Sequence, residues 1–252
     1  MLTLVHAGLA YNNGPLARLP PMGWNSWCTD SICNAFGRDP CSEHMVKTTA
    51  DAFVEQGLDQ LGYKWVTLDD CWSAKTRDAK GNLMPDPKQF PNGMAHVADY
   101  VHSRGLKFGV YTSAGDKTCK GDRPGSYGHY EADAKTLASW GVDFVKMDHC
   151  GLSAVGNATD RELYGNMSAA LNATGRPILF SLCQWGGQDV ETWGHDVAQM
   201  YRIQMDHLPL WDLPTKASGV GLGQGTLQII EFMAQLQPAK WTRRWGWLDP
   251  DL

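Results

Sequence analysis

FVKMDHCG, residues 144–151, begins as a buried strand and ends in a lysine, an acid, a histidine and a cysteine. Side chains alternate along a strand, so Lys146 and Asp148, two apart, share one face. A strand end that merely turned the chain would favour glycine, asparagine or proline. This one ends in chemistry, and the other strands decide what that means.

Along the chain, short β-rich runs alternate with longer amphipathic segments, the pattern of repeated βα units around a parallel sheet. Strands are predicted at Met22–Trp27, Lys64–Leu68, Leu106–Thr112, Val142–Met147, Pro177–Leu182 and Ala198–Ile203, with a seventh starting near Trp245. Helices are predicted near 43–61, 94–104, 130–140, 159–174, 188–195 and 224–236. The first opens with Ser42 and carries Met45, Val46, Ala50, Phe53, Val54 and Leu58 on one face at a 3.6 period. The six strands end in WNSW, LDDCW, YTSAGDKTC, KMDHC, SLCQW and YRIQMD. In a parallel barrel every strand C-terminus emerges at one rim, where active sites are built. Six successive rims with acids, bases or tryptophans predict a site there.

Composition narrows the class. At 252 residues and 43% hydrophobic, the chain can bury a large core as one domain or at most two. A net charge of −5 with no basic tract argues against nucleic acid as a partner. No apolar run approaches a membrane span. Eleven tryptophans suit the C–H faces of sugar rings, and suit a core equally well. Seven cysteines together with Asn-x-Ser/Thr sequons at Asn157, Asn166 and Asn172 favour an oxidising compartment: secreted, lysosomal or vacuolar. Residues 1–18 read as a leader or signal remnant, though without a basic n-region, and 19–252 as the catalytic domain.

The blocks PMGWNSW, LDDCW, GDKTC, GSYGHYEADAKTLASWGVDFVKMDHC, SLCQWG, YRIQMD and GWLDPDL resemble glycoside hydrolase family 27, in order and spacing, from Leu19 to the last residue. That family contains retaining α-galactosidases and α-N-acetylgalactosaminidases. The resemblance implies a (β/α)8 TIM-barrel catalytic domain followed by a small antiparallel β domain. Six βα units and the start of a seventh do not close an eight-stranded barrel. The chain is therefore expected to be an incomplete domain with strands one and six as open edges. It is expected to be poorly soluble and essentially inactive alone, and to recover hydrolysis when the missing units and β domain are restored.

The resemblance implies roles for individual residues. Asp148 stands where the family has its nucleophile, a carboxylate that attacks the anomeric carbon and is later displaced by water. Lys146 is expected to keep it ionised and to donate to sugar hydroxyls. Taken alone, the two could be a strand-end ion pair. Asp206 matches the acid/base, with a raised pKa and about 5–5.5 Å from the nucleophile; alone it could be a helix N-cap. Arg202 matches a sugar-binding arginine. Asp69 and Asp70 resemble the adjacent acids that accept from the 4- and 6-hydroxyls of galactose, where the wrong epimer would leave a buried acceptor unpaired. Trp27, Tyr111 and Trp185 are expected to form the apolar wall, although each aromatic alone is more often core. Cys183 and Gln184 complete the sugar contacts. Gln184 resembles the larger polar residues of galactose-specific members, while Gly187 is small, so the size rule for excluding a 2-acetamido group is half satisfied. Galactose is the expected sugar.

Asp69, Asp70, Asp148, His149 and Cys150 offer ligand atoms, but no second His or Cys stands at zinc-site spacing, and neither metal nor cofactor is expected. The family pattern implies a Cys119–Cys150 disulfide bracing the strand-four rim. Cys33–Cys41 and Cys28–Cys71 are the preferred remaining pairs, leaving Cys183 free. The expected partner is an α-galactoside oligosaccharide or glycoconjugate, and a homodimer is allowed for. The competing readings are an α-N-acetylgalactosaminidase, a β-L-arabinopyranosidase and a non-catalytic carbohydrate-binding homologue.

Overall fold

The computed structural model describes residues 16–27, 41–208, 210–213, 223–243 and 245–251. Among these, seven parallel strands follow one another in chain order: β1 (Gly23–Asn25), β2 (Trp65–Thr67), β3 (Lys107–Ser113), β4 (Phe144–Asp148), β5 (Leu179–Cys183), β6 (Met200–Arg202) and β7 (Trp247–Asp249). Each pairs with the next, and the sheet curls into a partial barrel. Because β7 pairs along β6, the open edges among the described residues are β1 and β7 rather than strands one and six. Around the sheet lie α1 (Glu43–Glu55), α2 (Gly93–Ser103), α3 (Tyr130–Ser139), α4 (Asp160–Ala173), α5 (Val190–Val197), α6 (Thr226–Leu236) and the short α7 (Pro238–Trp241).

Alternation builds both layers. Val66, Phe108, Val110, Val145, Met147, Phe180, Leu182, Tyr201 and Leu248 face outward and bury under the helices. The intervening positions face inward. At the lower end these are Phe144 and Leu179, with Trp65, Met200 and Trp247 packed around them. Ala17 closes this layer from below, and Trp247 Nε1 donates to its carbonyl at 2.7 Å. Ala17, assigned above to a leader, thus packs with the barrel. Higher up, the inward positions turn polar: Thr67, Lys146, Ser181, Cys183, Arg202 and Asp249.

Local chemistry fixes the helix starts. Ser42 Oγ accepts from Met45 N at 3.1 Å, capping α1. Thr159 and Glu162 form a reciprocal capping box on α4, satisfying two donors that a helix start leaves unpaired. The expected helices are present, and α7, begun by Pro238, was not foreseen. Strands β3, β4 and β5 run one residue further than expected, since Ser113, Asp148 and Cys183 still pair across the rim. Asp148 is therefore the last residue of its strand, held by sheet bonds rather than by a loop.

Candidate active site

Two cross-links brace the rim. Cys119 and Cys150 are bonded as expected, with Cα atoms 5.0 Å apart, and close a loop of 31 residues. Such a loop is worth about 3–4 kcal/mol in the chain-entropy model. The Cys150 and Gly151 carbonyls also accept from Gly115 N and Asp116 N at 2.9 and 3.0 Å. Gly151 sits at φ 70°, and a Cβ there would lie 2.2 Å from the Lys117 carbonyl oxygen, so this crossing demands glycine. The second disulfide corrects the expected pairing. Cys71 is bonded to Cys41, with Cα atoms 5.6 Å apart, which excludes both Cys28–Cys71 and Cys33–Cys41. Cys41 directly precedes the cap of α1, so this bond ties the start of α1 to the strand-two rim. Cys28 and Cys33 lie outside the described residues. Among the described residues, Cys183 is a free, buried thiol.

The residue expected as the nucleophile ends its strand. Asp148 is buried, and its Oδ1 accepts from His149 N and from Trp185 Nε1, both at 2.8 Å. Oδ2 accepts no hydrogen bond among the described residues. Burial pushes the Asp148 carboxyl up, and the positive charges of Lys146 and Arg202 act against that rise. Lys146 does not bond Asp148 directly, however. Its Nζ donates to Asp69 Oδ2 at 2.7 Å and stands 5.6 Å above the Tyr111 ring centre. Its effect on Asp148 is therefore through-space, a correction to the simple lysine–aspartate pair. Burial works most strongly against the ammonium charge, but the negative neighbours, Asp69 first and then Cys183 and Asp148, together outweigh it and hold Lys146 well above its usual range.

The strand-two acids divide the work. Asp69 Oδ1 accepts from Asp70 N and its own N–H donates to Ser26 Oγ, both at 2.8 Å, so the residue is fixed from three sides. Asp70 Oδ2 accepts from Lys120 N at 2.9 Å, and burial raises its carboxyl. Tyr111 is buried rather than presented as an open wall; its hydroxyl reaches Cys119 Sγ at 3.1 Å and burial pushes its phenol well up.

A cavity of about 430 Å³ opens above the apolar layer, lined by Trp24, Trp27, Lys146, Cys183, Arg202 and Asp251 among others. Arg202 is almost fully buried, and its Nη2 reaches Asp206 Oδ1 at 2.5 Å. Asp206 itself is 41% exposed. Trp185 donates a hydrogen bond to Asp148 and meets the His149 ring edge-on. Gln184 is turned away into the protein, donating to Asp160 Oδ2 at 2.6 Å. A Cβ on Gly187 would lie 2.9 Å from Gln184 Nε2, so the two residues constrain each other. Cys119, Asp148 and Cys150 offer ligand atoms within 4.8 Å of one another, but the two sulfurs are bonded together and offer no thiolate.

Four contributors escaped the sequence reading. Ser26 anchors Asp69. Asp251 faces Arg202 Nη1 at 3.4 Å and accepts from His207 N at 2.7 Å. Asp249 accepts from Asp251 N at 2.8 Å, and burial, then the Asp251 charge, push its carboxyl up to about 6. The DPD spacing in GWLDPDL held the signal for this pair, since residues two apart at a strand end face one way. Asp160 is the fourth.

Residues 19–212 match the family described as alpha galactosidase A. The chain is 47% identical over 203 residues to an alpha-galactosidase of Cyamopsis tetragonoloba, covering 79% of this chain and 46% of that one. To an alpha-galactosidase of Coffea arabica it is 48% identical over 200 residues, covering 79% and 50%. The solved alpha-galactosidase of Saccharomyces cerevisiae with raffinose superposes with a TM-score of 0.81 at 36% identity, over 96% of this chain and 53% of that one. The chain spans about half the length of the curated relatives it matches. With the family description matched over most of its length, the chain belongs to the alpha galactosidase A family, glycoside hydrolase family 27.

Proposed function

We propose that this barrel hydrolyses terminal α-D-galactosides with retention of configuration. The observation that carries the reading is the asymmetry of Asp148: one oxygen is tied by two donors, while the other is unbonded and supported by two nearby cations. That is the form a nucleophilic carboxylate needs. Asp148 Oδ2 attacks the anomeric carbon as Asp206 gives its proton to the departing oxygen, leaving a covalent galactosyl ester. Asp206 then takes a proton from water, which displaces Asp148. Arg202 holds Asp206 between the steps. Asp69, locked by Lys146, Ser26 and the Asp70 N–H, and Asp70 read the sugar hydroxyls, and a carboxylate set that firmly discriminates between epimers. Raffinose, seen in the yeast relative, ends in an α-galactosyl group and is a fitting substrate.

The galactose assignment is tested by comparing p-nitrophenyl α-galactoside with its N-acetylgalactosamine analogue. The galactoside is expected to be at least about tenfold faster in kcat/KM; equal rates would remove it. Passage through a secretory compartment is proposed with it, supported by the exposure of Asn157, Asn166 and Asn172 and by the disulfides.

A further inference from the structure

The indole that holds the nucleophile stands on a backbone that resists its conformation. Trp185, Gln188 and Asp189 have φ of 68°, 50° and 51°. Each such residue costs on the order of 1–3 kcal/mol and persists only where its surroundings fix it. Gly186 between them has φ 81°, and a Cβ there would lie 2.1 Å from the Ile203 carbonyl oxygen, so the loop cannot relax in that direction.

One buried carboxylate reaches both sides of this indole. Asp160 Oδ2 accepts from Gln184 Nε2 at 2.6 Å, which fixes the residue preceding Trp185. Asp160 Oδ1 lies 2.9 Å from His149 Nε2, and the His149 ring meets the Trp185 ring edge-on, centres 5.4 Å apart and planes at 85°. His149 also supplies the second donor to Asp148 Oδ1, through its backbone N–H. Both donors to the nucleophile therefore come from residues that Asp160 braces. Burial works against the Asp160 charge, but the His149 and Gln184 hydrogen bonds outweigh it and hold the carboxyl below its usual range. A bland role exists: Asp160 is the first residue of α4, where an acid suits the helix dipole. That role requires neither His149 nor Gln184.

We propose that Asp160 is a positioning residue which, through His149 and Gln184, fixes both donors to Asp148 Oδ1 and so aims Oδ2 at the anomeric carbon. The inference rests on the retaining-hydrolase reading for its catalytic consequence, and on geometry alone for the brace.

Asp160→Ala is expected to lower kcat on p-nitrophenyl α-galactoside by about 10–100-fold, the scale of a 1 Å misplacement, with KM within about threefold. Asp160→Asn should recover to within about fivefold of the unsubstituted protein, because its Oδ1 still accepts from His149 and its amide meets a flipped Gln184. A helix-dipole role, which needs the charge, would give no such rescue. The double variant Asp160→Ala/Trp185→Phe should lose less than the product of the two single losses, since Asp160 acts in part through that indole and in part through His149. His149→Ala, which leaves the start of α4 intact, should cost about three- to tenfold in kcat if Asp160→Ala proves unstable. Independently of turnover, the Trp185 indole N–H resonance, assigned by its loss in Trp185→Phe, should exchange at least about tenfold faster in Asp160→Ala or His149→Ala. Multiplicative losses in the double variant, a raised KM with unchanged kcat, or an unchanged indole signal would overturn the proposal. If the unsubstituted protein hydrolyses no α-galactoside while the indole responds as described, the functional reading falls and the brace stands.

Discussion

Replacing Lys146 with methionine tests the electrostatic frame of the site, because it removes one charge and keeps the side chain's bulk. The Lys146 ammonium lies 2.7 Å from Asp69 Oδ2, with the two side chains 15% and 3% exposed. Removing one partner of a buried pair costs about 3–5 kcal/mol, since the other charge is left unpaired. Lys146 borders the cavity, so the lower figure, about 3 kcal/mol, applies. In a chain of this size that lowers Tm by roughly 6–12 °C. Asp69→Asn added to Lys146→Met removes the stranded carboxylate while the new amide's oxygen can still accept from Asp70 N, so about 2 kcal/mol should return. Activity should not return with it. Losing the cation also pushes the Asp148 carboxyl higher still, so the acidic limb of kcat/KM should move to higher pH. Denaturant unfolding at pH 7 of the single and double variants gives the answer. A Lys146→Met protein within about 0.5 kcal/mol of the original, or a double variant no more stable than the single one, would refute the reasoning.

Three further outcomes follow from the same geometry. Asp148→Asn should abolish turnover, on the order of 10⁴-fold or more, while galactose binding by calorimetry survives. Because burial raises the Asp148 carboxyl, the native state favours its protonated form and loses stability as pH rises through the folded value; the amide should match or exceed the original Tm at pH 7, with less advantage at pH 4. Asp206→Asn should be nearly dead on α-galactosides with poor leaving groups yet keep part of the first step with an aryl group that needs no proton, measured as a burst of released phenol. Asp249→Asn should stabilise the protein above pH 6 by at most about 3 kcal/mol, the equivalent of a rise from 3.8 to about 6, and the gain should vanish below pH 4 in thermal scans across pH.

Much of this architecture was legible in the sequence because parallel strands and helices differ in period, and the alternation of βα units needs no tertiary knowledge. Strand ends were less legible. Ser113, Asp148 and Cys183 are polar or small enough to read as loop, yet sheet pairing holds them. The residues of the site could be placed at one rim, but not their partners. Nothing in the spacing of Lys146 says that its ammonium turns to Asp69 rather than Asp148. Four cysteines at 28, 33, 41 and 71 permit three pairings, and only the approach of the α1 cap to the strand-two rim selects Cys41–Cys71. Asp160 was hidden by its own good local explanation. In TDRE it reads as an acid in the first turn of a capped helix, which it is, and its contacts to His149 and Gln184 arise from residues 11 and 24 positions away.

The central claim is that Asp148 forms a covalent bond to the sugar. A 5-fluoro α-galactosyl fluoride slows the second step more than the first, so an enzyme of this mechanism accumulates as the glycosyl ester. Intact-mass measurement followed by peptide mapping should find one added fluorohexosyl group, carried on the peptide containing Asp148 and absent from Asp148→Asn. A labelled residue elsewhere, or hydrolysis of an α-galactoside to the β-anomer as first product, would contradict the account.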